Sequence, residues 1–155
     1  MKTEFMRAAI RLSLEKMRRG EGGPFGAVVV RQGKIVGRGW NRVTPTNDPT
    51  AHAEIVAIRE ACHRLKTFRL DNCEIYASCE PCPMCLSAIY WARIRRIFYA
   101  GGRRDAAAAG FDDDLIYCEL ARPVSRRKIP MRQFLRDDAL AVFKKWGDKP
   151  DKVRY

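Results

Sequence analysis

A three-layer α/β sandwich is the fold this sequence predicts. Three observations carry it: a helical stripe opens the chain, two strand-like runs follow, and helix then alternates with strand to about residue 100. In the opening stripe Met6, Ala9, Ile10, Ser13, Leu14 and Met17 share one face at 3.6-residue spacing. Gly20-Glu21-Gly22-Gly23-Pro24 breaks it. Residues 25–31 and 34–42 read as two strands joined in a hairpin at Gln32-Gly33. A Pro-containing loop over 43–50 leads into a helix over about 51–65. Residues 73–78 read as a third strand, 83–93 as another helix and 95–100 as a fourth strand. Beyond Gly101 the periodicity weakens: helices are predicted over 112–120 and 137–146, with a short extended piece near 128–131. No linker or repeat divides the chain, so residues 1–155 read as a single domain, of a length that buries about 70% of its unfolded surface.

The composition is that of a globular protein, 46% hydrophobic and 31% charged. No apolar run approaches the roughly 18 residues of a membrane span. The first 19 residues mix charge with apolar side chains and lack a signal-peptide core, which predicts a cytoplasmic protein with no membrane partner. Six cysteines are present, but Cys62, Cys73, Cys79 and Cys118 show no framework spacing and read as reduced thiols. The net charge of +12 would attract nucleic acid, yet it would equally attract small anions and keep the chain in solution. The basic residues are spread along the chain, and no aromatic side chains interleave with Arg126, Arg127 and Lys128. Charge alone is therefore compatible with a nucleic-acid partner but does not assign one.

Two short segments carry the chemistry: His52-Ala53-Glu54 and Pro81-Cys82-Pro83-Met84-Cys85. Residues two apart on a helix point about 200° from one another, so His52 and Glu54 can converge only off the helix's N-terminal end. Pro83 suits the first position of the next helix, which makes Cys82 its N-cap and places Cys85 in its first turn. Two helix N-termini then face one site, and their partial positive charge favours thiolates. One His and two Cys are three zinc ligands, one fewer than a closed structural site, which leaves a position for a catalytic water. His63 lies eleven residues along the same helix from His52, about 16 Å away, and cannot be the fourth ligand. Glu54 is then the general acid/base. Taken separately, each half has an ordinary reading. Glu54 could simply favour a helix's first turn, and Cys82 with Cys85 could be a redox pair or half of a structural zinc site. Together they match the H-x-E and P-C-x-x-C pattern of zinc-dependent deaminases.

The stretches GGPFGAVVV, NDPTAHAE, SCEPCPMC, AIYWAR and GFDDDLIY, with the terminal Tyr155, resemble the small bacterial guanine deaminases of the cytidine deaminase superfamily. That resemblance implies an α/β/α sandwich with a mixed central sheet and a C-terminal segment that can be exchanged between the subunits of a homodimer. It implies zinc-dependent hydrolysis of guanine, a small purine base, to xanthine and ammonia. It also implies that Asn41 and the backbone of Ala53 contact the purine, that Asp113 is a second proton carrier, and that Tyr155 reaches a guanine pocket. Phe25 and Trp91 are candidate stacking partners, although either could equally be core. Asn41 could be a polar strand end, and Asp112, Asp113 and Asp114 a solvated cap. Ser87 stands where the resemblance leads one to expect glycine. NDPTAHAE and PCPMC are similar to tRNA adenosine deaminases as well, which makes adenosine-to-inosine deamination in tRNA the rival activity. A catalytically silent, zinc-stapled RNA-binding module is the rival outside enzymes; Glu54 and the missing fourth ligand speak against it.

Overall fold

The computed structural model describes residues 2–154, in two compact units, Met1–Asp113 and Asp114–Tyr155. In the first unit the order is α1 (Thr3–Arg18), β1 (Gly26–Arg31), β2 (Lys34–Trp40), α2 (Val43–Thr46), α3 (Ala53–Leu65), β3 (Cys73–Cys79), α4 (Pro83–Trp91), β4 (Arg96–Gly101) and α5 (Arg103–Ala108). The strands form one mixed sheet, ordered β2-β1-β3-β4. β1 runs antiparallel to β2 and β3, and β3 runs parallel to β4.

Alternation along the two central strands divides the apolar residues between two layers. Ala27 and Val29 of β1 join Ile75 and Ala77 of β3 in one buried cluster, with Ala53, Ala57 and Ala61 of α3 and Ile89 of α4. Val28, Val30 and Tyr76 point the other way, onto Phe5 and Ala9 of α1. Phe5 meets Tyr76 edge-on at 5.4 Å, and Phe98 stacks on it at 4.7 Å. The three layers expected from the sequence are thus α1, the sheet, and α3 with α4.

What brings α3 down onto the sheet is a line of small residues. Ala53, Ala57 and Ala61 recur every fourth position along its inner face. Across from them, a Cβ added at Gly39 would lie 2.0 Å from the Ala53 carbonyl oxygen, and one at Gly37 2.3 Å from that of Ala57. Backbone therefore packs on backbone, which fixes where the N-terminus of α3 emerges. The hairpin at Gln32 and Gly33, with φ of 49° and 74°, sets the β1–β2 register and is where the sequence placed it.

Several boundaries differ from expectation. The loop over 43–50 contains the helical turn α2, and α5 was not foreseen, being one short Ala-rich helix between Gly102 and Gly110. In the second unit α6 (Asp114–Ala121) begins two residues later than expected, and α7 (Arg136–Asp148) is longer at both ends. No strand forms at 128–131; the nearest regular structure is a 3-10 turn ahead of it, over Val124–Arg126, entered from Pro123. No helix among the described residues is long and apolar enough to cross a membrane.

Candidate metal centre and active site

His52 is the N-cap of α3, and Cys82 is the N-cap of α4 with Pro83 at the helix's first position. Both side chains leave from extended backbone just ahead of a helix, so they reach past the helix end rather than along its flank. Cys85, one turn into α4, is buried, and its Sγ lies 3.6 Å from His52 Nδ1. The Cys82 Sγ is also 3.6 Å from that nitrogen, and all three donor atoms lie within 4.8 Å of one another. Among the described residues no other group of three or more His, Cys, Asp or Glu side chains is so arranged. A tetrahedral zinc with bonds of about 2.3 Å to sulfur and about 2.0–2.1 Å to nitrogen holds those ligand atoms about 3.6 Å apart. The donor set fits zinc in both chemistry and spacing.

The electrostatics agree with the geometry. The Cys82 thiol is lowered to about 4, first by its hydrogen bond with Cys85 and then by His52. Cys85 moves the other way, raised by that same bond, by burial and by Glu54. His52 is raised by its hydrogen bond to Cys82. Glu54 is the one buried carboxylate among the described residues, 7% exposed, and burial pushes its carboxyl up. Its Oε2 accepts a hydrogen bond from Cys85 Sγ at 3.5 Å. A buried acid whose pKa is raised, beside a metal site, is suited to carrying protons. Asp113 is raised by burial and then by Cys82, which puts its carboxyl in electrostatic range of the cluster.

The other candidates fall in two groups. Asn41 follows β2, and its amide Oδ1 accepts the Val43 N–H at 3.3 Å. Its backbone N–H donates to the Phe25 carbonyl at 3.0 Å. Gly22, at φ +142°, presses on it so closely that a Cβ would lie 1.8 Å from the Asn41 carbonyl oxygen. Ala53 is buried beside His52. Phe25 packs partly into the core and meets Phe111 edge-on at 4.8 Å. Trp91 is different: it closes the far end of α4, 67% exposed, about 9 Å along the axis from Cys85. Tyr155 lies outside the described residues. The substitution at Ser87 is absorbed locally, since the residue is exposed and its hydroxyl donates to the Pro83 carbonyl at 2.8 Å. Sequence reasoning passed over Cys79 and Glu80, which bind the neighbouring loop through Gly102 and Arg103. Their signal was their place in SCEPC, between a strand end and the first thiolate.

A mixed sheet with His and Cys ligands at two helix N-termini and a buried Glu beside them defines a zinc-dependent deaminase. The chain matches the cytidine and deoxycytidylate deaminase zinc-binding region over residues 1–101 and belongs to that family. Among individual proteins, the guanine deaminase of Bacillus subtilis (strain 168) is 50% identical over 151 residues, 97% of each chain. The X-ray structure of guanine deaminase from that organism superposes with a TM-score of 0.96, covering 100% of this chain and 99% of that one. A structure of guanine deaminase from Nitrosomonas europaea gives a TM-score of 0.68 at 31% identity, covering 94% of this chain and 84% of its own. The tRNA-specific adenosine deaminase of Aquifex aeolicus (strain VF5) is 41% identical over 99 residues, 64% of this chain and 65% of its own.

Proposed function

We propose that this chain is a hydrolase that deaminates guanine to xanthine and ammonia, acting as one deaminase domain over its whole length. One observation carries the choice of substrate. Likeness to a guanine deaminase runs over 151 residues, whereas likeness to the Aquifex tRNA enzyme covers 99.

In this reading His52, Cys82 and Cys85 hold one zinc per chain. When bound, zinc would supply Lewis acidity, lowering the pKa of a catalytic water toward neutrality. Asn41 fixes the purine edge, its amide offering both a donor and an acceptor. The Ala53 backbone and the Phe25 ring complete the nearer contacts. Glu54 takes a proton from the attacking water and delivers it to the ring nitrogen beside the amino-bearing carbon, as the oxygen–carbon bond forms. Asp113 assists the second proton, from the new hydroxyl to the amine, and the carbon–nitrogen bond breaks with ammonia leaving. Tyr155 closes the pocket from a C-terminal tail exchanged within a homodimer, and Trp91 is a further candidate for stacking on the base. Cytoplasmic reduction suits the six cysteines, all of which are free.

The net charge of +12 favours one second reading, deamination of adenosine in tRNA. An ammonia-release screen against guanine, guanosine, adenine, cytosine, cytidine and an adenosine-containing anticodon stem-loop separates the two. Guanine is expected to be turned over fastest. Inosine formation in the stem-loop outpacing xanthine formation would reverse the assignment.

A further inference from the structure

The segment between β3 and Cys82 is tied to the start of α5 by more than the sheet. The Glu80 backbone N–H donates to the Gly101 carbonyl at 2.8 Å, extending the parallel ladder one step beyond the Cys79–Gly101 pair. The Cys79 Sγ lies 3.8 Å from the Gly102 carbonyl. Then the Glu80 side chain crosses over: its Oε2 accepts the backbone N–H of Arg103 at 3.1 Å.

That last bond fills a gap in the sequence. Gly102 is the N-cap of α5 and has no side chain with which to satisfy the helix's first N–H groups. Asp105 reaches back to the Gly102 N–H at 2.7 Å, which is half of a capping box. Glu80 supplies from outside the acceptor that a Ser or Asp at 102 would supply from within, and it brings a negative charge to a helix N-terminus. α5 is the element that leads to Asp113. Its first residue, Arg103, is among the charges that act on the Asp113 carboxyl, and Phe111, two residues before Asp113, is seated on Phe25 at 4.8 Å.

We infer that Glu80 is a positioning residue: by capping α5 from the thiolate loop it holds Asp113 at a fixed place relative to Cys82. The inference rests on the proposed function, in which Asp113 carries a proton. Glu80 is not among the grouped donors His52, Cys82 and Cys85, so its loss acts on the proton step and leaves the ligand set intact.

The test measures kcat and KM for guanine, zinc per chain, and amide hydrogen exchange over residues 103–108. Glu80→Ala should lower kcat about 10- to 100-fold, the scale of a displaced catalytic group, with KM and zinc unchanged and exchange in α5 faster. Glu80→Gln, whose amide oxygen can still accept the Arg103 N–H, should restore both rate and protection. Gly102→Ser in the Glu80→Ala background should do so too. Gly102 already has N-cap backbone angles (φ −85°, ψ 169°), and an added Cβ would meet nothing closer than 3.6 Å. Because Glu80 acts through Asp113, adding Glu80→Ala to Asp113→Asn should cost less than about twofold more. Loss of zinc in Glu80→Ala, fully multiplicative effects in the double variant, or α5 exchange unaltered by the substitution would each overturn the inference while leaving the proposed function standing. A wild-type rate in Asp113→Asn alone would instead remove Asp113 from the mechanism, and this role of Glu80 with it.

Discussion

The two units differ in how they use apolar side chains. In the first, five consecutive residues of β1, from Gly26 to Val30, are buried, and the core continues through α3 and α4. In the second, no described residue is buried, although it carries Phe134 at 83% exposure, Ile129 at 77% and Phe143 at 68%. Isolated exposed apolar residues are ordinary, but large ones recurring through a whole unit are not. The difference separates two tasks. The first unit is organised around a site that needs rigid walls. The second presents surface that the proposed dimer would cover with another copy of the chain.

The largest expected effect tests whether the first unit alone holds the metal. Cys82→Ala or His52→Ala should lose zinc and guanine turnover together, because two donors and one open side cannot retain the ion that three hold. Metal analysis alongside the ammonia assay checks this, and full activity without zinc would dismantle the site. Next comes Glu54→Gln, which should keep one zinc per chain and lower kcat roughly 10²- to 10⁴-fold, since an amide of the same shape moves no proton. A near wild-type rate would mean that the buried carboxylate is structural.

How legible these regions were follows the same divide. The ligands and Glu54 could be read because their spacing, together with Pro83, fixes them at helix starts whatever the rest of the chain does. The sandwich could be read because β1, β2, β3 and α3 have strong periodicity and punctuation. The close seat of α3 on Gly37 and Gly39 was not foreseen, since a glycine in a strand gives no sign of which backbone approaches it. α5 was missed because six residues carry too little pattern to register. The cap from Glu80 joins residues 23 apart in sequence, a distance no local signal spans. In the second unit periodicity gave helices but not their partners, because exposed apolar faces are specified by what covers them.

A smaller effect on the protein, though not on turnover, is expected from deleting residues 153–155. Zinc should stay bound and the melting temperature should barely move, while guanine turnover is lost, if the tail closes the site as proposed. Chain ends are ordinarily tolerant of truncation, so full activity of the shortened protein would discard the lid. Mixing Glu54→Gln chains with tail-deleted chains then locates the tail. With exchange, a hybrid dimer contains one complete site, made from the deleted chain's zinc centre and the other chain's tail. No recovery in proven hybrids would put the tail on its own subunit.

The smallest effect should come from Phe143→Ala in α7, and it sharpens the comparison most. At 68% exposure in the single chain, Phe143 could be truncated at a cost within about 0.5 kcal/mol if that surface faced water. If a second copy covers it, the substitution removes part of the roughly 1.5–3 kcal/mol that burying such a side chain contributes, and self-association weakens by about tenfold. Turnover at high protein concentration would be unchanged in both cases, so the readout is sedimentation over a concentration series and not rate. Phe5→Ala offers the contrast. That side chain is 7% exposed against Tyr76, and its loss should cost the roughly 3–5 kcal/mol of a large-to-small core change, lowering the melting temperature at every concentration alike. A concentration-dependent defect in Phe143→Ala beside a concentration-independent one in Phe5→Ala would establish that the two units draw their stability from different sources. Identical behaviour of the two variants would mean that the apolar surface of the second unit has no partner in a second copy, and the dimer would have to form elsewhere or not at all.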